Sequence, residues 1–335
     1  MKFIQALCVI FIVGCSRLGT INMDRHYFGS LPTKIVWLQV AGFDDSQLGL
    51  FKFGTKYNNE KLGLEKFTCL GKTWLYNIYD FRPSVNAGFL SQLTGKMNFR
   101  NKCDDFNMKP IWKYFNENGH ETALFEVGFD KGKGIDRVLS CTETKDQFLD
   151  DVVSFKMAFD SKKEHPRFHV DGKNLFQTGK IYYDRSCRRD KCYRDTAQNI
   201  KFVFEKFTKN KNRYLYIMRF NNLYKALKKN NWTKSKDILA EINSIYEYFY
   251  KISLEDTSLL VLLTSTNPIK LNYPVTNKQW SNFDRNIILR SATSSGVLGT
   301  VFATGARAEN FCGIYQENDI FKRIMTGSKR SFWRR

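Results

Sequence analysis

Six residues from Ile35 to Val40 (IVWLQV), five of them apolar, run into Ala41-Gly42 and then into a polar stretch that holds Asp44 and Asp45. A short run of β-branched and aromatic residues closed by a glycine predicts a buried strand of an α/β sheet. Thr122–Val127, Arg213–Phe220 (RYLYIMRF) and Thr257–Thr264 (TSLLVLLT) repeat the pattern. Phe67–Leu70 and Trp74–Tyr79 read as shorter strands, and Gly299–Thr304 as the last one. Between them the apolar period lengthens to that of a helix. Val85–Leu93 ends near Gly95, which suits a left-handed helix stop. Lys109–Asn118 carries Ile111, Trp112, Tyr114 and Phe115 on one side, and Asn118-Gly119 ends it. Ile238, Leu239, Ile242, Ile245, Tyr246 and Phe249 mark a long helix through about Lys251, capped by Thr233 or Ser235. Asn318 is placed to cap a final helix through Met325. Alternating strands and helices predict a mostly parallel sheet with helices on both faces.

The segment from about 131 to 198 breaks this rhythm. It is rich in charge and short turns, and it reads as an inserted, cysteine-containing cap region. The remaining 33–327 reads as one α/β domain. At 335 residues, 42% hydrophobic and 15% aromatic, the chain is long enough and apolar enough to bury a large core.

The amino terminus changes the setting. Met1-Lys2 is followed by the apolar Phe3–Val13, too short to span a bilayer and of the length of a secretory signal. Residues 1–14 read as signal peptide and 15–32 as a polar tether. Ile12-Val13-Gly14-Cys15 resembles the bacterial lipobox, which implies acyl chains on Cys15 that hold the protein at a membrane. An ordinary cleaved signal, with Cys15 incidental, is the other reading. Ser16 after the cysteine implies, by analogy with lipoprotein sorting, the outer rather than the inner membrane, on the periplasmic side. Of eight cysteines, six remain beyond the signal and Cys15, an even set that permits three disulfides in an oxidising compartment. Cys187 and Cys192 are close enough to close a small loop, and a zinc site is the weaker rival there.

The formal net charge of +20, from 53 Lys and Arg against 33 Asp and Glu, favours acidic partners: an anionic lipid surface, lipopolysaccharide, nucleic acid or a polyphosphate. A general lysine bias that solvates the surface explains it equally well. A nucleic-acid role is disfavoured by the export signal and by the absence of a dedicated motif. The basic, aromatic tail 328–335 (SKRSFWRR) reads as a frayed soluble end, with contact to an anionic surface as the alternative. Gly128–Gly134 (GFDKGKG) reads as a loop, because no helix start follows it to hold a phosphate. No phosphate-binding, dinucleotide, zinc-protease or nucleophile-elbow motif is present.

Five stretches, in order, resemble the alkaline phosphatase superfamily of phosphatases, phosphodiesterases, sulfatases and phosphoglycerol transferases. Ile35–Gly42 resembles its first strand, which ends in Asp-Gly. Val85–Gly95 (VNAGFLSQLTG) resembles its nucleophile helix, and Lys109–Val127 the helix and strand that follow. Ile238–Ser265 resembles the helix and strand leading to Ser-Asp-His-Gly. Thr300–Met325 resembles the carboxyl-terminal segment. The resemblance implies an alkaline-phosphatase-like fold. It also implies two zinc-like ions about 4 Å apart that activate a Ser, Thr or formylglycine nucleophile. At the matching positions, however, the first-strand Asp is Ala41, the nucleophile is Val85, the Asp-His pair is Thr266-Asn267, and the late His falls near Ser294. Four histidines occur in the chain, His26, His120, His165 and His169, and none falls at such a position. Ser84, one residue away, is the only nearby substitute nucleophile. Asp44 and Asp45 lie just past the metal position as substitute ligands.

The expected protein is therefore a non-catalytic pseudoenzyme of a bacterial cell envelope, without cofactor, that binds an anionic envelope component or a protein partner. The alternative is a divergent phosphatase, phosphodiesterase, sulfatase or phosphoethanolamine-type transferase using two divalent ions, zinc or manganese.

Overall fold

The computed structural model describes residues 32–53, 61–100, 102–130, 133–135, 137, 150–157, 176–184, 195–271, 276–284 and 290–325. The signal, the tether up to residue 31, Cys15, Cys187, Cys192, His26, His165, His169 and the tail lie outside the described residues.

Eleven strands are described: β1 (Lys34–Ala41), β2 (Cys69–Trp74), β3 (Glu121–Val127), β4 (Val152–Met157), β5 (Ile181–Tyr183), β6 (Tyr214–Phe220), β7 (Leu259–Thr266), β8 (Ile269–Leu271), β9 (Arg290–Ser295), β10 (Leu298–Gly305) and β11 (Gly313–Gln316). Nine of them form one sheet in the order β11-β2-β10-β7-β1-β6-β3-β4-β5, while β8 and β9 pair separately. β1 is central and runs parallel to both neighbours, β6 and β7. Within the nine-stranded sheet only β10 runs against its neighbours, β2 and β7. β2, lying on the far side of β10, therefore points the same way as β7 and β1.

Eight α-helices among the described residues flank the sheet: α1 (Ser46–Phe53), α2 (Val85–Thr94), α3 (Ile111–Glu117), α4 (Thr196–Thr208), α5 (Asn222–Lys228), α6 (Trp232–Glu255), α7 (Asn277–Asp284) and α8 (Asp319–Met325). Two apolar layers follow from strand alternation. Val36, Leu38 and Val40 of β1 face α1, α4, α5 and α6, whereas Ile35 and Trp37 face α2, α3 and α8. Every residue of β6 and β7 is buried, as a strand covered on both faces requires.

Several local expectations need correction. A single strand, β2, replaces the two short ones expected between Phe67 and Tyr79. The long helix begins at Trp232, and its cap is Asn231, whose Oδ1 accepts from Lys234 N at 3.0 Å. β10 is followed by β11, so it is not the last strand. Asn318 precedes α8 but binds elsewhere: its Nδ2 donates to the carbonyl of Gly95 at 3.2 Å. The αL stop at Gly95 is present, with φ at 70°. The described parts of 131–198 continue the sheet through β4 and β5, parallel to β3. A disulfide joins Cys69 to Cys312, and Cys103 is disulfide-bonded as well.

Candidate functional site

The carboxyl ends of parallel strands are where α/β sheets gather ligands. At that edge Ala41 lies in register with Thr266, and Val40 with Phe220. Gly42 turns the chain at φ +86°, and a Cβ there would stand 2.8 Å from the Tyr224 Cα, so only glycine fits. Gln47 fastens the turn by donating to the carbonyls of Gly42 and Ile269, each at 2.8 Å.

The tip of β1 is apolar. Ala41, Phe89 and Phe129 form a buried cluster, with Val85 and Tyr224 packed against it. Phe89 comes from α2, whose first residue is Val85. Ser84 precedes it as the cap: its Oγ accepts from Ala87 N at 3.1 Å, and the residue is exposed. The two acids past the tip have other work. Asp44 Oδ1 accepts from the backbone N and the hydroxyl of Ser46, starting α1. Asp45 pairs with Lys72 at 2.7 Å. Thr266 and Asn267 close the other side. Asn267 sits in the left-handed region at φ 46° and donates to the carbonyl of Pro83 at 2.6 Å, pinning the approach to α2. Ser294 belongs to β9, and its side chain lies outside the described set. His120 is buried at the opposite end of the sheet, where its Nε2 meets the carbonyl of Pro32 at 3.1 Å. Burial lowers its pKa.

One layer below the tips, a row of polar residues crosses the sheet under α2. Thr264, Gln39, Arg219, Glu126 and Lys156 occupy adjacent strands in direct register. Arg219 donates to Glu126 Oε1 at 2.9 Å, with their side chains only 4% and 0% exposed. Its guanidinium also lies over the rings of Phe89 and Phe129, at 4.7 and 5.1 Å. Glu126 further accepts from Ile135 N, and Lys156 Nζ donates to the carbonyl of Lys133 at 3.1 Å. Each of these charged side chains has at least one polar partner within the fold, as a buried charge requires.

A second network extends from the row towards the carboxyl terminus. Trp37 Nε1 donates to Thr264 Oγ1 (2.9 Å), which donates to Gln92 Oε1 (2.6 Å). Gln39 donates to the same oxygen at 3.0 Å. Gln92 Nε2 then donates to Glu317 Oε1 at 2.8 Å. The Thr266 side chain also hydrogen-bonds Glu317. Burial pushes the Glu317 carboxyl up to about 7. Sequence reasoning missed Gln39, Gln92, Arg219 and Glu317. Gln39 and Arg219 interrupt otherwise largely apolar strands, and that is the signal that could have marked them.

The residues at the strand tips do not fit a pair of divalent ions. Such ions need several carboxylate or imidazole donors. Ala41, Val85, Thr266 and Asn267 offer none, and Asp44 and Asp45 are engaged. Among the described residues, no three His, Cys, Asp or Glu side chains gather in a way that could hold a metal.

The overall architecture is that of alkaline phosphatases. The alkaline phosphatase of the Antarctic bacterium TAB5 superposes with a TM-score of 0.67, at 17% identity, over 90% of this chain and 99% of that one. The Thermus thermophilus alkaline phosphatase gives 0.64 at 8% identity, over 93% and 94%. The lipoteichoic acid synthase LtaP of Listeria monocytogenes gives 0.51 at 11% identity, over 90% and 73%. At such identities the likeness defines the fold: this chain has the alkaline-phosphatase-like fold. No family model and no curated protein matches its sequence.

Proposed function

We propose that this chain is a non-catalytic protein with an alkaline-phosphatase-like fold that binds a negatively charged envelope component or a protein partner. The observation that carries the reading is the apolar tip of β1, where Ala41, Phe89, Phe129, Val85 and Tyr224 pack together. Matched to the family pattern, Ala41 and Val85 stand where its first metal ligand and nucleophile belong. A methyl group cannot bind a metal, and an isopropyl group cannot attack phosphorus. The net charge of +20 supports an anionic partner. The short apolar leader and Cys15 support export and a lipid anchor on the periplasmic side, at the outer membrane. Among the described residues, no helix is long and apolar enough to cross a membrane.

A divergent hydrolase or transferase for phosphate or sulfate esters is the second reading. It is favoured by the exposed Ser84 hydroxyl at the amino end of α2.

Metal content and esterase activity separate the two. Protein expressed with zinc and manganese present, then dialysed, is expected to retain less than about a tenth of an equivalent and to leave aryl phosphate and sulfate esters intact. About two equivalents, with turnover abolished in Ser84→Ala, would establish the enzyme instead.

A further inference from the structure

We propose that the rim past the carboxyl end of β2 docks on an anionic lipid surface through residues 74–82, the exposed face of β2 and the edge strand β11. Nine large hydrophobic side chains are exposed among the described residues, and all but Leu254 lie on β2, residues 76–81, Val297 just before β10, or β11. Phe81 is 83% exposed, Ile314 65% and Ile78 64%. So concentrated an apolar surface marks an interaction site. Leu70 and Trp74 sit on one face of β2, and Ile314, in register with Lys72, continues that face onto β11.

The rim is built to hold its shape. Asn77 is buried, and its Oδ1 accepts from Tyr79 N at 2.8 Å and Asp80 N at 2.6 Å, a turn made by its own side chain. Its Nδ2 donates to the carbonyl of Phe99, and Ile78 N donates to that of Met97. Ile78, Tyr79 and Phe81 are thereby fixed outward with little ordering left for contact to cost.

Charge selects the occupant. From Trp74 to Lys102 the chain carries four basic residues, Arg82, Lys96, Arg100 and Lys102, against one acid, Asp80. Arg100 lies over the ring of Tyr79 at 4.1 Å, so cation and aromatic are presented together. Exposed Trp, Tyr and Phe flanked by Lys and Arg are the side chains that settle at an anionic bilayer interface. Because β2 points the same way as β1 and β7, docking brings the strand-tip edge towards the membrane.

The inference rests on the anionic-partner reading above, but its test is separate. The full chain carrying Cys15→Ser, so that no acyl group contributes, is mixed with vesicles of phosphatidylcholine alone or of equal parts phosphatidylcholine and phosphatidylglycerol, and sedimented. Partition is expected on the anionic vesicles and to fall with salt. The additional changes Ile78→Ser and Phe81→Ser should lower it at least about tenfold, with thermal unfolding unchanged because both residues are exposed. Lys96→Gln with Arg100→Gln should lower it and flatten the salt dependence. All variants share one amino terminus, so the differences report the rim. Undiminished binding in the Ile78→Ser/Phe81→Ser variant overturns docking through this rim and leaves the anionic-partner reading intact. Equal binding to neutral vesicles, or binding to neither, also overturns the proposal. Retention on heparin then tests the anionic-partner reading separately.

Discussion

The side-chain amide of Gln92 donates to Glu317 Oε1 at 2.8 Å, tying α2 to the turn before α8 out of reach of water. Burial raises this carboxyl from the ordinary 4.5 to about 7. A raised acid is held protonated by the fold, so the native state binds more protons than the unfolded chain between those values. Stability is therefore expected to fall as pH rises from 4.5 to 7, by about 3 kcal/mol in all from this group. Glu317→Gln should remove that slope, raising the unfolding temperature at pH 8 and leaving it nearly unchanged at pH 4. Thermal unfolding followed across pH checks both ends.

Gly88 lies inside α2, where alanine would ordinarily add about 1 kcal/mol of stability. Here a Cβ would come within 1.9 Å of Thr266 Oγ1 and 3.1 Å of Glu317 Oε1. The sign should reverse: Gly88→Ala is expected to cost about 1–3 kcal/mol in urea denaturation. A stabilised variant would mean that α2 does not press on β7 as closely as the contact requires.

An aspartate placed at the tip of β1 should not create a metal site. Ala41→Asp places a carboxylate among Phe89, Phe129 and Val85, and an unpaired charge in such surroundings costs several kcal/mol. The expected variant is less stable by about 3 kcal/mol or more and still retains no zinc. Denaturation and elemental analysis on the same sample decide it.

Arg219 and Glu126 form a nearly solvent-free pair. Removing one partner strands the other, so Glu126→Ala is expected to lose about 3–5 kcal/mol. Arg219→Met with Glu126→Gln leaves no stranded charge and should recover most of that loss. A double-mutant cycle measures the coupling.

The strands that carry the fold were legible because burial on both faces leaves them almost wholly apolar. Ile35–Val40, Arg213–Phe220 and Thr257–Thr264 appear within a residue or two as β1, β6 and β7. β4 (VVSFKM) escaped because it is short and sits in a segment where the surrounding pattern is irregular, whereas α4 carries Ile200, Val203, Phe204 and Phe207 at helical spacing and was legible. The order of elements, read with five weak motifs, was enough for the alkaline-phosphatase-like fold. The buried polar row was not legible. Arg219 and Glu126 are 93 residues apart, and only the parallel register of β3 and β6 sets them side by side. Nor could alternation alone reveal that Asp44 starts a helix and Asp45 pairs with Lys72.

The position of β2 governs when this molecule can finish folding. In the sheet β2 pairs only with β10 and β11, both near the carboxyl terminus, and Cys69 waits for Cys312 across a sequence separation of 243. Until those late strands emerge, β2 has no strand to pair with, and none of its native ladder hydrogen bonds can form. Contacts of such long range are slow to form. A chain made amino end first must therefore keep its second strand and Cys69 unpaired until nearly all of it has been made. The last quarter of the sequence acts as the closing seam, and a truncation before β10 would leave an open sheet edge, the form of surface most prone to aggregate.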